Sequence, residues 1–157
     1  MTSASPAAPP FTEETALERV KFAQNAWNSR DPERIVKGYT TNCIWRNRDT
    51  FLQGHGEIVD FLRSKYEKEL GYRLRKELFT FQGNKIAVQF FYEFHDETGQ
   101  WYRAYGLEDW TFETEGGEKG KMKKRMSSIN DMKIGPEERW FVDGVDVDDV
   151  AISERHL

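Results

Sequence analysis

The chain has 157 residues, and 23 Lys and Arg against 27 Asp and Glu leave a formal net charge of −4. That length suits one domain with a core of its own, and the acidic balance removes the electrostatic reason to expect nucleic acid as a partner. Aromatic residues make up 14% of the chain, so burial rests on Trp, Phe and Tyr more than on aliphatic side chains, and the single cysteine, Cys43, excludes an internal disulfide and fits a reducing compartment.

Residues 1–10 carry neither the basic start nor the apolar run of a signal peptide. No stretch approaches the ~18 apolar residues of a membrane helix, so the expectation is a cytoplasmic protein without a membrane partner. Residues 1–11, rich in Pro, Ala and Ser, read as a disordered tail. Thr12 followed by Glu13 and Glu14 is a helix start, and Leu17, Val20, Ala23 and Trp27 carry that helix to about Trp27. Asp31-Pro32-Glu33 opens a short second helix. A strand over about Cys43–Arg48 precedes a third helix over about Gly56–Glu69, with Ile58, Phe61, Leu62 and Tyr66 on one face and Gly71 as its stop.

From there the period becomes two. Arg73–Phe81, Lys85–His95, Trp101–Glu113 and Lys121–Met132 read as four antiparallel strands joined by the turns Gln82-Gly83-Asn84, Asp96–Gly99 and Thr114–Glu118. Helices grouped ahead of a meander make an α+β fold, with the helices on one face of a curved antiparallel sheet. After Pro136 the acidic, aperiodic residues form a C-terminal extension over 136–157, of which 143–157 read as a mobile or partner-docked tail.

Trp45-Arg46-Asn47-Arg48, Phe51-Leu52-Gln53-Gly54, Gly83-Asn84-Lys85-Ile86-Ala87-Val88, Gly99-Gln100-Trp101 and Ser128-Ile129-Asn130-Asp131 follow one another in this order of elements. The pattern resembles the nuclear transport factor 2-like superfamily, which includes SnoaL-like polyketide cyclases and ketosteroid isomerases, and more narrowly an uncharacterised bacterial family within it. The resemblance covers about residues 12–135 as one domain. It implies a cone-shaped cavity between the concave sheet and the helices. Fold alone does not assign function, because such scaffolds host enzymes and binding modules alike. Asn47 falls where the isomerases carry their general-base aspartate, and an amide cannot abstract a proton. Ala23 falls near their oxyanion-hole tyrosine and has no hydroxyl. Their second acid falls at Glu108.

Alternation places Trp45 and Asn47 on one face of their strand, and Gly106, Glu108, Trp110 and Phe112 on one face of theirs. Glu108, a carboxylate among aromatics, is the candidate catalytic acid or base. Pairing Phe112 with Lys121 sets Arg125 opposite Glu108, with Ser127 on the same face, in which case Arg125 holds the carboxyl ionised. A structural Glu108–Arg125 brace is the competing reading. The candidate ligand-binding residues are Trp45, Asn47, Phe61, Trp110, Arg125 and Ser127. Trp27, Phe61, Trp101 and Trp110 also fit as plain core.

Arg46 and Arg48 have the chemistry of a bidentate carboxylate clamp, but alternation turns them away from Asn47, toward surface pairing. His55, His95 and His156 match no metal-ligand spacing and no phosphate loop is present, so neither metal nor cofactor is called for. Two classes stay open: an acid–base enzyme (isomerase, dehydratase, cyclase or hydrolase) acting on a small, partly apolar metabolite, and a non-catalytic ligand-binding or structural module. The strand Lys85–His95 carries bulky residues on either side (Ile86, Val88, Phe90, Tyr92 and Phe94, or Phe91). Its outer face therefore predicts a homodimer.

Overall fold

The computed structural model describes residues 6–157. Helix α1 (Glu13–Asn28) starts at Thr12, whose hydroxyl accepts from the Thr15 N–H while the Thr15 hydroxyl accepts from the Thr12 N–H. That reciprocal box satisfies two donors that a helix start leaves orphaned. Asp31 caps α2 (Pro32–Val36), with Pro32 in the first turn, where its missing N–H costs nothing. There follow β1 (Tyr39–Asn47), β2 (Thr50–Gln53), α3 (His55–Lys68), β3 (Leu70–Gln82), β4 (Lys85–His95), β5 (Trp101–Phe112) and β6 (Met122–Ile134). The six strands form one sheet in the order β2-β1-β6-β5-β4-β3, with β1 parallel to β6 and every other pair antiparallel.

The fold is α+β, with helices on the concave face of a curved, open sheet. Strand alternation sends Tyr72, Leu74 and Lys76 of β3 inward, with Val88, Phe90 and Tyr92 of β4 and Glu108 and Trp110 of β5. They meet Val20 and Trp27 of α1 and Ile58 and Leu62 of α3, all buried. Each such apolar side chain contributes about 1.5–3 kcal/mol of burial free energy.

Four differences from the sequence reading have physical causes. The short strand β2 was not expected: four residues directly after the turn at Arg48 show no period of their own, yet they pair with β1 from Ile44↔Gln53 to Asn47↔Thr50. Gly71 does not end the helix but lies inside β3 at φ +64, where an added Cβ would stand 3.1 Å from the Trp101 ring. The β5–β6 register is two residues from the expected one, with Glu108 opposite Ser127 and Arg125 opposite Trp110, and an irregularity at Thr111/Phe112 takes up one residue of the shift, so that Phe112 pairs with Met122. A slip of two keeps every side chain on its face, so the inward set survives.

The fourth difference is the C-terminal strap, residues 136–157, whose end was expected to be mobile or partner-docked. It docks on the convex face of its own sheet. Phe141 and Val147 are buried there with Phe91, beside Trp140 and Tyr105. The buried Glu93 carboxylate accepts the Trp140 and Phe141 N–H groups and pairs with Arg103 at 2.9 Å. Arg73 donates to the carbonyls of Val142 and Val145, and Arg75 to those of Val147 and Val150. Asp148 reaches round the β3 edge to Lys21 of α1. At the other end, the expected disordered stretch over 1–11 falls partly on residues 1–5, outside the described residues. Phe11 is packed edge-on to Phe112, and its N–H donates to the Gly83 carbonyl.

Candidate functional site

The middle of the concave face is polar at its centre and aromatic around it. Glu108 on β5 is fully enclosed, its Oε1 bonded to Lys76 Nζ and its Oε2 3.0 Å from Arg125 Nη2. The Lys76 ammonium lies over Phe90 at 4.7 Å and over Trp27 and Trp110 at 5.4 Å. The Arg125 guanidinium lies 4.5 Å from the Trp45 ring and 4.8 Å from that of Trp27. Ring faces attract cations electrostatically, and more strongly once water is excluded. Trp27 Nε1 donates to the Tyr39 hydroxyl at 3.1 Å, fixing the ring beneath both cations.

Two cations and one anion leave this enclosure with a surplus positive charge. Burial pushes the Glu108 carboxyl up, but the Arg125 guanidinium and the Lys76 ammonium outweigh it and hold it at about 2. Burial pulls the Lys76 ammonium down to about 8, against the attraction of Glu108. Removing the one carboxylate of this cluster strands both cations without compensation, the costly outcome for buried ions.

Beside this enclosure a recess of about 380 Å³ opens between α3 and the sheet. Asn47, Arg48, Phe61, Lys65, Tyr92, Phe94 and Asp131 are in its wall. Asn47 belongs to both spaces: it lines the recess, and its Oδ1 accepts from both terminal nitrogens of Arg125, at 3.3 and 3.4 Å. Lys65 pairs with Glu69 at 2.6 Å and lies 4.3 Å over the Tyr92 ring, and burial lowers its pKa.

Of the residues singled out in the sequence, Glu108, Arg125, Ser127, Trp45 and Trp110 lie together in the enclosure. Phe61 stands in the recess wall, its ring edge-on to Trp45 at 6.3 Å. Arg46 pairs at the surface as expected, with the Arg48 and Ser127 carbonyls. Arg48 does not. Its φ of 57 breaks the alternation, and its side chain lies in the recess wall against Asp131 and the Tyr92 hydroxyl.

Lys76 and Lys65 were missed. Lys76 sits between Arg75 and Glu77 and resembles a solvated strand position, but it shares the parity of Tyr72 and Leu74, and that parity was the available signal. Burial pushes the Cys43 thiol up to about 12, which removes its nucleophilic form at neutral pH. No helix of the described residues is long and apolar enough to cross a membrane.

A family described as "Protein of unknown function (DUF1348)" matches residues 9–142. Solved structures match as well. The epoxide hydrolase/cyclase-like enzyme SalBIII, described in pyran ring formation in the polyether salinomycin, superposes with a TM-score of 0.64 at 18% identity, over 75% of this chain and 92% of that one. An NTF2-like protein of unknown function from Burkholderia pseudomallei K96243 gives 0.64 at 18% identity, over 73% and 90%. A SnoaL-like protein of unknown function from Burkholderia thailandensis E264 gives 0.59 at 15% identity, over 77% and 98%. A search of curated proteins returned no relative. At these identities the likeness is one of fold, and the fold is the SnoaL-like, NTF2-like one.

Proposed function

The chain belongs to the DUF1348 family, whose function is unknown, and from that premise we propose that it binds a small, partly apolar molecule in the recess between α3 and the sheet. Asn47 and Phe61 contact the ligand, while Trp45, Trp110, Arg125, Ser127 and Glu108 form the charged, aromatic floor behind them. One observation carries the reading: Asn47 lines the recess and is bonded to Arg125, so a single amide couples the open space to the enclosed ions. A recess of this size, in which the rings of Phe61, Tyr92 and Phe94 stand among charged and polar side chains, suits a small organic ligand with both apolar and polar parts. Native mass spectrometry of gently purified protein, followed by denaturing release, tests it. An adduct carried by the wild type and lost from Ser64→Trp, which fills the recess, supports the site. An adduct indifferent to that substitution overturns it.

A second reading, favoured by the Lys76–Glu108 hydrogen bond, is acid–base catalysis of an isomerisation, dehydration, cyclisation or hydrolysis. Lys76, at about 8, is a proton donor poised near neutrality next to a carboxylate. Glu108→Gln in a protein that stays folded then abolishes turnover; unchanged turnover sinks the role.

On either reading residues 12–135 are the ligand-binding domain, braced by the extension 136–157, and the protein is cytoplasmic. We further place a homodimer interface on the convex face beyond the strap, where Phe79 and Leu107 stay 69% and 59% exposed. Light scattering that returns a monomer at micromolar concentration refutes it.

A further inference from the structure

We propose that the ligand of this recess is an organic anion, a carboxylate carried on an apolar ring being its simplest form. This rests on the recess being the binding site and names the chemical class it takes.

Charge is the first argument. Arg48, Lys65 and Lys68 face Glu69 and Asp131 around the recess, leaving one cation in surplus. Behind them, Lys76 and Arg125 share the single carboxylate of Glu108, leaving a second. Two layers in contact thus carry excess positive charge in a protein whose net charge is −4. Surplus cations next to low-dielectric walls focus potential on the space between them.

Donor chemistry is the second. Asn47 Oδ1 is engaged by Arg125, so Nδ2 is the atom left to donate from the recess wall. A buried donor without a partner is costly, and the remedy is an acceptor. What the recess lacks is a negative charge to match its surplus cation, and a carboxylate supplies that charge together with an acceptor for Asn47 Nδ2.

The apolar body follows from the remaining wall. Phe61, Tyr92 and Phe94 offer ring surface on which an amphipathic anion lays its hydrocarbon part.

The test titrates the full chain, labelled with nitrogen-15, with phenylacetate, cyclohexanecarboxylate and salicylate, each against its neutral amide. Saturable shifts of the Asn47 side-chain amide are expected with at least one carboxylate, about tenfold tighter than with the matching amide and weakened by added salt. Lys68→Gln, a change at an exposed position, is expected to loosen the carboxylate severalfold and leave the amide unaffected. Carboxylate and amide binding equally in the recess overturns the anionic class and leaves the recess standing as a site. Shifts confined to other surfaces, or none with any of the six compounds, overturn both.

Discussion

Lys76 and Glu108 belong to strands that do not pair, β3 and β5, and their ion pair passes over β4, which lies between them. The long lysine stem crosses above Phe90, and the carboxylate side chain rises opposite Val88 to meet it. The cluster therefore ties three strands and, through Trp27, helix α1.

Glu108→Gln leaves two enclosed cations without a counter-charge and is expected to cost about 3–5 kcal/mol of stability. Lys76→Met leaves Glu108 and Arg125 as a balanced pair and is expected to cost at least about 2 kcal/mol less. Urea denaturation of the two variants measures the difference. Equal losses would mean that the surplus positive charge is not what Glu108 offsets.

The same cluster sets a pH profile. Glu108 titrates lower in the folded chain, about 2 against an ordinary 4.5, so the unfolded chain binds the proton first. Its contribution to stability is whole above pH 4.5 and is lost as the pH falls toward 2. Lys76 is also lowered, to about 8 from 10.5, but for a base this means that the folded state gives up its proton first. Stability therefore rises between pH 8 and 10.5 on its account. The difference in unfolding free energy between wild type and Lys76→Met, followed across that window, is expected to move in favour of wild type. A flat difference would contradict it.

Gly106 and Phe90 form a close contact that admits no side chain. A Cβ at position 106 would stand 2.0 Å from Phe90 Cζ, and Phe90 is itself buried. Gly106→Ala is expected to cost about 1–3 kcal/mol through overpacking. In a Phe90→Leu background the same change is expected to cost much less, a coupling that a double-mutant cycle by thermal denaturation reads directly.

Glu93 is the latch of the strap. Glu93→Ala removes the acceptor of the Trp140 and Phe141 N–H groups and leaves Arg103 buried without its carboxylate. Hydrogen exchange is expected to quicken over residues 140–150 while α1 stays protected. Unchanged exchange there would show that the aromatic contacts alone hold the segment.

The inward face was legible because alternation is strict where turns bound it. Strand β4 runs over Lys85–His95, as its turn residues announce, and Trp45, Asn47, Glu108 and Arg125 came out facing one another despite a two-residue error in register. What escaped depended on contacts distant in sequence. Lys76 became an enclosed ion only because Glu108, thirty-two positions on, lies across β4. Arg48 turned into the recess because one left-handed residue interrupts the pleat. The strap shows no period because it makes no ladder; its bonds run to arginines of the sheet and to Glu93.

Those arginines close on peptide oxygens of Val142, Val145, Val147 and Val150, groups that every amino acid carries. A grip of that kind fixes the path of the chain and ignores its spelling. Asp143 and Asp149, which point to solvent, are therefore positions where the wording can drift while the trace holds. They are the natural place to graft a fluorophore or an epitope that reports from the back of the sheet and leaves its hollow untouched.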